Sequence, residues 1–365
     1  MSENKEEKSY RDIFDGVIES TIKNAQKIAS KNPGLILTGA KIAYHQKKAA
    51  GIRSEYEKKG IMVPGVMMIA LTSRCNLTCR GCYMKSRDVT EKKPDMTDDE
   101  ISGIISQAKE LGVSAVVFAG GEPMLRLPLI LSLAKSYPEI LFPVFTNGLL
   151  IDEKAAKLLG KCKNIVPMLS FEGFSKETDL RRGTGTYEKL MNAAKSLSER
   201  GMFFGSSIMV TGENITSVTD ETFISDMVSK GVLAFVFVEY VPIEEGTENL
   251  VLTKEKQSLL REKIRHYSEK FPAVFIGFPG EEDEYGGCLA AGRGFVHVSP
   301  DGSLEPCPAA PFSDVNLTKM PLKDALRSEL LQKIRENHGM LTESEGGCAL
   351  WANREWVKAL QKMDD

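Results

Sequence analysis

From Met62 onward, short apolar runs closed by turn residues alternate with stretches in which apolar residues recur at helical spacing. That alternation marks βαβ units wound around a parallel sheet. Six runs carry it: Val66 to Leu71, Ala115 to Phe118, Phe142 to Phe145, Val166 to Phe171, Phe203 to Val210 and Ala234 to Val241. Thr97 to Leu111, Leu127 to Ser136, Glu153 to Leu159, Tyr187 to Arg200 and Ser217 to Lys230 read as the crossover helices. Thr97 and Glu100 make a capping box at the head of the first. An α/β fold follows, either a complete or partial (β/α) barrel or a doubly wound open sheet. In both, reactive groups collect at the C-terminal ends of the strands, so the residues just after each run are the candidates for chemistry.

Residues 1–60 read as a helical extension, with Phe14, Val17, Ile18, Ala25 and Ile28 at helical spacing and Asn32-Pro33-Gly34 separating a first helix from a second. Residues 61–245 are the expected barrel. Residues 246–365 read as a small C-terminal domain that opens with one more helix, Lys254 to Lys270, and turns Gly-, Pro- and Cys-rich from Gly277. Within it, Val296 to Ser299 and Ser303 to Pro306 flank Pro300-Asp301-Gly302, a hairpin signal.

Of the 365 residues 42% are hydrophobic, enough for a real core and too many for a disordered chain. Lys and Arg number 47 against 50 Asp and Glu, and a net charge of -3 supplies no positive field for a nucleic acid backbone, so no nucleic acid partner is expected. The charge is uneven: residues 1–60 hold 12 Lys and Arg against 8 Asp and Glu, with Lys41, Lys47, Lys48, Arg53, Lys58 and Lys59 crowding the second helix. Such a helix either packs on the barrel with its lysines solvated or makes a peripheral contact with an anionic membrane. The polar start Met1 to Lys8 lacks the pattern of a secretory signal, and the longest apolar run, Ile61 to Leu71, contains Pro64 and is too short to span a bilayer. A cytoplasmic chain is expected. In that reducing compartment its seven cysteines point to metal binding or catalysis before disulfides.

Directly after the first run comes Ser73-Arg74-Cys75-Asn76-Leu77-Thr78-Cys79-Arg80-Gly81-Cys82-Tyr83, a C-x3-C-x2-C arrangement. A loop this tight can aim three thiolates at one centre. On a four-iron cluster, three thiolates leave one iron open to a small chelating molecule. The alternative is a structural zinc that borrows a distant ligand. Gly120-Gly121-Glu122-Pro123 follows the second run, Thr146-Asn147-Gly148 the third, and Ser170-Phe171-Glu172-Gly173 the fourth, ahead of Arg181-Arg182-Gly183.

On these motifs the chain over roughly residues 65–245 resembles the radical S-adenosylmethionine (SAM) superfamily, which implies a partial (β/α)6 TIM-type barrel. By that resemblance Cys75, Cys79 and Cys82 hold a 4Fe-4S cluster whose open iron binds the amino and carboxylate groups of SAM, and Tyr83 is the aromatic beside the adenine. Gly120, Gly121, Glu122 and Pro123 match the motif that holds the methionine amino group, with Glu122 a structural or hydrogen-bonding partner rather than a base, and Asn147 fits the same pattern. Ser170 and Glu172 approach the ribose or methionine, although Glu172 stands where many relatives have Asp. Arg182 pairs with the SAM carboxylate. Ser206 and Ser207 are candidate ribose contacts or solvent-facing strand serines, and Val241 walls the adenine or packs in the core.

A second cysteine set, Cys288, Cys307 and Cys348, brackets the hairpin, with Gly302 five positions before Cys307. The spacing resembles the opening of the SPASM/twitch extension, which carries auxiliary iron-sulfur clusters in many radical SAM enzymes acting on peptides and small molecules. One auxiliary cluster is implied. Its fourth ligand is open between water, substrate, a non-Cys side chain and Cys162, which otherwise reads as an ordinary thiol; buried, unligated cysteines are the alternative for the whole set. His297 reads as a packed surface histidine. The activity implied is reductive cleavage of SAM to a 5'-deoxyadenosyl radical for hydrogen abstraction, fed by a reductant such as flavodoxin or ferredoxin. A ribosomal peptide is the first substrate expectation, a small molecule or lipid the second. A non-catalytic iron-sulfur carrier or assembly scaffold is the reading from another class.

Overall fold

Strands covered on both faces need apolar side chains at nearly every position, because each face must be buried against another layer. The six runs meet that demand and form β1 (Val66–Ala70), β2 (Ala115–Ala119), β3 (Phe142–Thr146), β4 (Ile165–Phe171), β5 (Gly205–Val210) and β6 (Ala234–Glu239). The computed structural model describes residues 24, 28, 35–87, 93–279, 287–341 and 348–361. β1 to β6 lie side by side in sequence order, each parallel to the next, in a curled sheet that makes a partial TIM-type barrel.

The outer face carries Ile69, Phe118, Phe142, Leu169, Ile208 and Phe237, packed in one continuous core with Ile101, Ile105, Leu133 and Leu190 of the crossover helices. The inner face holds a smaller cluster built on Val166, Met168 and Ala234. The first crossover helix, Asp98–Leu111, starts on the expected box: Thr97 Oγ1 accepts from the Glu100 amide, and Glu100 Oε2 accepts from the Thr97 amide at 2.7 Å.

Helices beyond residue 320, such as Glu329–Glu336 and Arg354–Gln361, escaped the pattern, and so did two elements beside the barrel. A helix, Ser175–Arg182, stands between β4 and the helix Thr186–Ser198; only Thr178 in it is buried, so it has no apolar stripe to read. β7 (Val274–Phe278) pairs parallel with β6; it is short, edge-lying and runs straight into Pro279, where a strand reading stops. The hairpin is present as β8 (Phe295–Val298) and β9 (Leu304–Glu305), antiparallel, with His297 opposite Glu305. β8 also pairs parallel with β1, placing His297 beside Met68. Strands from beyond residue 245 thus extend both edges of one nine-stranded sheet, ordered β7-β6-β5-β4-β3-β2-β1-β8-β9.

The first N-terminal helix and its break lie almost wholly outside the described residues. The second spans Ile36–Glu57 and packs on the turn after the first crossover helix. Arg53 is buried there, its guanidinium donating to the Gly112 carbonyl at 2.5 Å, while Lys41, Lys47, Lys48, Lys58 and Lys59 are exposed. Among the described residues no helix is long and apolar enough to cross a membrane.

The Phe118–Phe142 stack, with ring centroids 5.1 Å apart and both rings fully buried, joins β2 to β3 under the helices. Phe142→Ala is expected to destabilise the protein by about 3–5 kcal/mol, read as a lowered midpoint in chemical denaturation.

Candidate active site

The cysteine loop leaves β1 at the C-terminal end of the barrel and is tied to the turn after β2. The Gly121 amide donates to the Thr72 carbonyl at 2.7 Å and the Glu122 amide to the Arg74 carbonyl at 2.9 Å. A Cβ on Gly121 would stand 2.0 Å from the Arg74 oxygen, so only glycine permits this approach. Asp95 holds the near side, accepting from Thr72 Oγ1 at 2.6 Å and from the Ser73 amide at 3.1 Å.

The other strand ends hold the rest of the loop. After β3, Asn147 Nδ2 donates to Asn76 Oδ1 at 2.7 Å and lies 3.9 Å from Cys75 Sγ. After β4, Glu172 Oε1 accepts from Arg181 Nη1 at 2.6 Å and from Arg182 Nη2 at 2.5 Å, while Arg182 Nη1 reaches to 3.9 Å from Cys79 Sγ. The Arg80 amide donates to the Arg181 carbonyl at 3.1 Å, and the Arg80 side chain pairs with Glu213 beyond β5. After β6, Glu244 Oε2 accepts from the Gly81 amide at 2.6 Å, and the Tyr240 ring lies against Gly81 so closely that a Cβ there would be 2.6 Å from Cε2. Burial pushes the Cys75 thiol above its ordinary range, and the neighbouring Cys79 and Cys82 add to that.

Glu122 is buried and fully engaged: Oε1 accepts from the Met124 amide and from Thr146 Oγ1 at 2.7 Å, and Oε2 from the Asn147 amide at 2.9 Å. It welds the turn after β2 to the turn after β3. Burial raises its carboxyl, and those three donors work against the rise. Pro123 opens the short 3-10 turn that follows. Ser170 is buried on the inner face, in register with Ser207. Val241 is half-buried against the main core.

Two sequence readings need correction. Ser206 and Ser207 are both buried, so neither faces solvent. Strand alternation sets Ser206 on the outer face with Ile208 and Val210, away from the barrel interior, and makes Ser207 the inward serine beside Ser170. His297 is fully buried, its Nδ1 2.7 Å from Glu305 Oε2, and is no surface residue. Arg182 is paired with Glu172 and points its remaining nitrogen at a thiol. Glu213, Tyr240 and Glu244 were missed; they belong to no local motif, and their only signal is their place just past a strand end.

Cys288, Cys307 and Cys348 are all buried, and the Cys348 thiol, hydrogen-bonded to Cys307, holds the Cys307 thiol well above its ordinary range, with burial and Cys288 adding to the rise. Cys162 packs alone in the main core at the N-terminal end of β4, its thiol raised by burial, at the opposite end of that strand from the cysteine loop. Among the described residues no group of three His, Cys, Asp or Glu side chains is set to hold a single metal ion.

The ends of β2 to β6 thus all grip one three-cysteine loop at the mouth of an α/β barrel. Residues 69–222 match the family model of the radical SAM superfamily. The cofactors of that family are a 4Fe-4S cluster and SAM. Among curated proteins, Fe-coproporphyrin III synthase of Methanosarcina barkeri is 27% identical over 226 residues, 59% of this chain but only 54% of that protein. PqqA peptide cyclase of Rhizobium meliloti is 25% identical over 259 residues, 68% of this chain and 69% of the cyclase. The fold is also that of Streptococcus suis SuiB, seen bound to SAM (TM-score 0.63, 20% identity) and to its precursor peptide SuiA (TM-score 0.61, 21% identity), over 87% of this chain and 78% and 77% of SuiB respectively.

Gly121→Ala drives a methyl group into the Arg74 carbonyl, a strain of about 1–3 kcal/mol that is relieved only by moving the cysteine loop. It is expected to lower both the thermal midpoint and the iron taken up on anaerobic reconstitution. Gly103→Ala, in a helix with open space around it, should leave iron uptake unchanged and raise stability by up to about 1 kcal/mol.

Proposed function

We propose that this protein is a radical SAM enzyme that reductively cleaves SAM and abstracts hydrogen from a peptide substrate, with residues 61–245 as the SAM-binding barrel, residues 246–365 as an auxiliary-cluster region, and flavodoxin or ferredoxin as electron donor. The observation that carries the reading is the loop bearing Cys75, Cys79 and Cys82, gripped by the strand ends with N–H groups of Asn147 and Arg182 turned toward two of its sulfurs. When bound, the cluster and SAM together supply a 5'-deoxyadenosyl radical.

The residues present fit those groups. Three cysteines leave an iron free for the amino acid end of SAM. Glu172 Oε2 is a buried acceptor with no partner among the described residues, which a ligand hydroxyl or ammonium would satisfy. Arg182, held by Glu172, places positive charge against the thiolates, and Ser170 with Ser207 offers hydroxyls on the adjoining inner wall. The Tyr240 ring under Gly81 and the apolar inner face exclude water from a reactive intermediate. Cys288, Cys307 and Cys348 would hold one auxiliary cluster.

The peptide substrate is supported by the PqqA peptide cyclase relative and by the SuiB fold with its bound precursor peptide. A small-molecule substrate is the second reading, favoured by the coproporphyrin synthase relative.

Anaerobic reconstitution is expected to load about eight irons per chain if both clusters are 4Fe-4S, and dithionite with SAM should yield 5'-deoxyadenosine. Replacing Cys75, Cys79 and Cys82 together by Ala should keep about half the iron and abolish 5'-deoxyadenosine; full retention of either would remove the assignment. Replacing Cys288, Cys307 and Cys348 together by Ala should keep the other half of the iron and the cleavage of SAM. Iron content equal to the parent would leave the second set as plain thiols.

A further inference from the structure

The inner wall beyond β1, on the side away from β2 to β6, carries a buried polar cluster that meets the cysteine motif at Tyr83 and otherwise lies outside the SAM motifs. His297 on β8 and Glu305 on β9 are cross-strand partners, and Nδ1 lies 2.7 Å from Glu305 Oε2. The other carboxylate oxygen pairs with Arg87 Nη2, in an ion pair whose two side chains are 9% and 5% exposed. The Tyr83 ring packs edge-on against the imidazole, with centroids 6.3 Å apart. Two polar atoms of the cluster, Arg87 Nη1 and His297 Nε2, are buried and make no hydrogen bond to any described residue, while the buried Tyr83 hydroxyl is reached by the Gly120 amide. Buried polar atoms without partners are rare in folded proteins, and two from side chains that share Glu305 mark a place where something else supplies the partners.

The hydrogen-bond inventory says what that something is. Glu305 spends one oxygen on Arg87 and one on His297, and as a salt-bridged carboxylate it can only accept, so Nδ1 of His297 carries the proton. The ion pair already balances the charge of Arg87, and burial, together with that nearby guanidinium, holds the imidazole below its ordinary range. The ring is neutral and Nε2 presents a bare lone pair. The wall therefore offers a fixed donor, Arg87 Nη1, a fixed acceptor, His297 Nε2, and the Tyr83 hydroxyl, which accepts from the Gly120 amide and keeps its own proton to donate. A carboxylate would turn its own lone pairs on Nε2. A group with a carbonyl oxygen and an N–H satisfies both.

We propose that Tyr83, Arg87 and His297, braced by Glu305, form a substrate-anchoring site for a neutral amide, its carbonyl oxygen on Arg87 and its N–H on His297. The site deepens the peptide reading of the proposed function and rests on it. Two amides share this chemistry, the peptide bond and the carboxamide of an Asn or Gln side chain.

The test is ligand-detected saturation-transfer NMR on the full-length, cluster-reconstituted protein with three probes: N-methylacetamide for the peptide bond, acetamide for the side-chain carboxamide, and acetate. His297→Asn keeps a donor for Glu305 and removes the Nε2 acceptor; Tyr83→Phe removes only the hydroxyl, and carries the test if the Asn variant does not fold. The parent is expected to bind at least one amide and not acetate, and each folded variant to bind that amide about fivefold or more weakly, the loss of one hydrogen bond to a buried group. Which amide binds names the source. Acetate binding, amide binding unchanged in a folded variant, or no probe binding at all would overturn the site. Formation of 5'-deoxyadenosine by the parent is measured alongside: its absence with amide binding intact counts against the reaction and leaves the site, and the reverse counts against the site alone.

Discussion

The closeness of two backbone segments governs this structure. The turn after β2 touches the chain entering the cysteine loop through paired amide-to-carbonyl bonds from Gly121 and Glu122, at a separation that excludes any side chain on Gly121. Backbone bonds of this kind position Thr72 to Cys75 without the slack of long side chains. Glu122 then carries the constraint onward, since the carboxylate that follows the glycines binds Thr146 and the Asn147 amide. One short stretch of chain thus sets three strand ends relative to one another.

Around that fixed edge, the remaining strand ends contribute charge and shape. Glu172 gathers Arg181 and Arg182 and turns the second toward Cys79. Glu244 and Tyr240 close on Gly81 from beyond β6. A loop of three cysteines left to itself would pay heavily in conformational entropy to converge. Held from β2, β3, β4 and β6, and through Glu213 from β5, it is arranged before any ligand arrives.

The C-terminal region joins this arrangement through the sheet. β8 lies against β1 and brings His297 and Glu305 to the inner wall, next to Tyr83 and Arg87 from the chain just after the cysteines. Cys307 follows Glu305 by two residues, so the hairpin that builds the inner wall also carries one of the second set of cysteines.

The sequence by itself determined the barrel strands, the capping box and the cysteine loop, because period, turn chemistry and spacing are local properties that survive without neighbours. It also placed the glycines and Glu122 at a strand end. Tertiary structure alone decided which serine of the Ser206-Ser207 pair faces inward, since the face depends on register against β4. It decided that His297 is buried, because β9 and the Tyr83 ring cover it, and that Arg182 is tied to Glu172. Glu213, Tyr240 and Glu244 reach Arg80 and Gly81 of the cysteine loop across gaps of well over a hundred residues, and a contact of that range has no trace in the local pattern because only the closure of the barrel brings the two segments together.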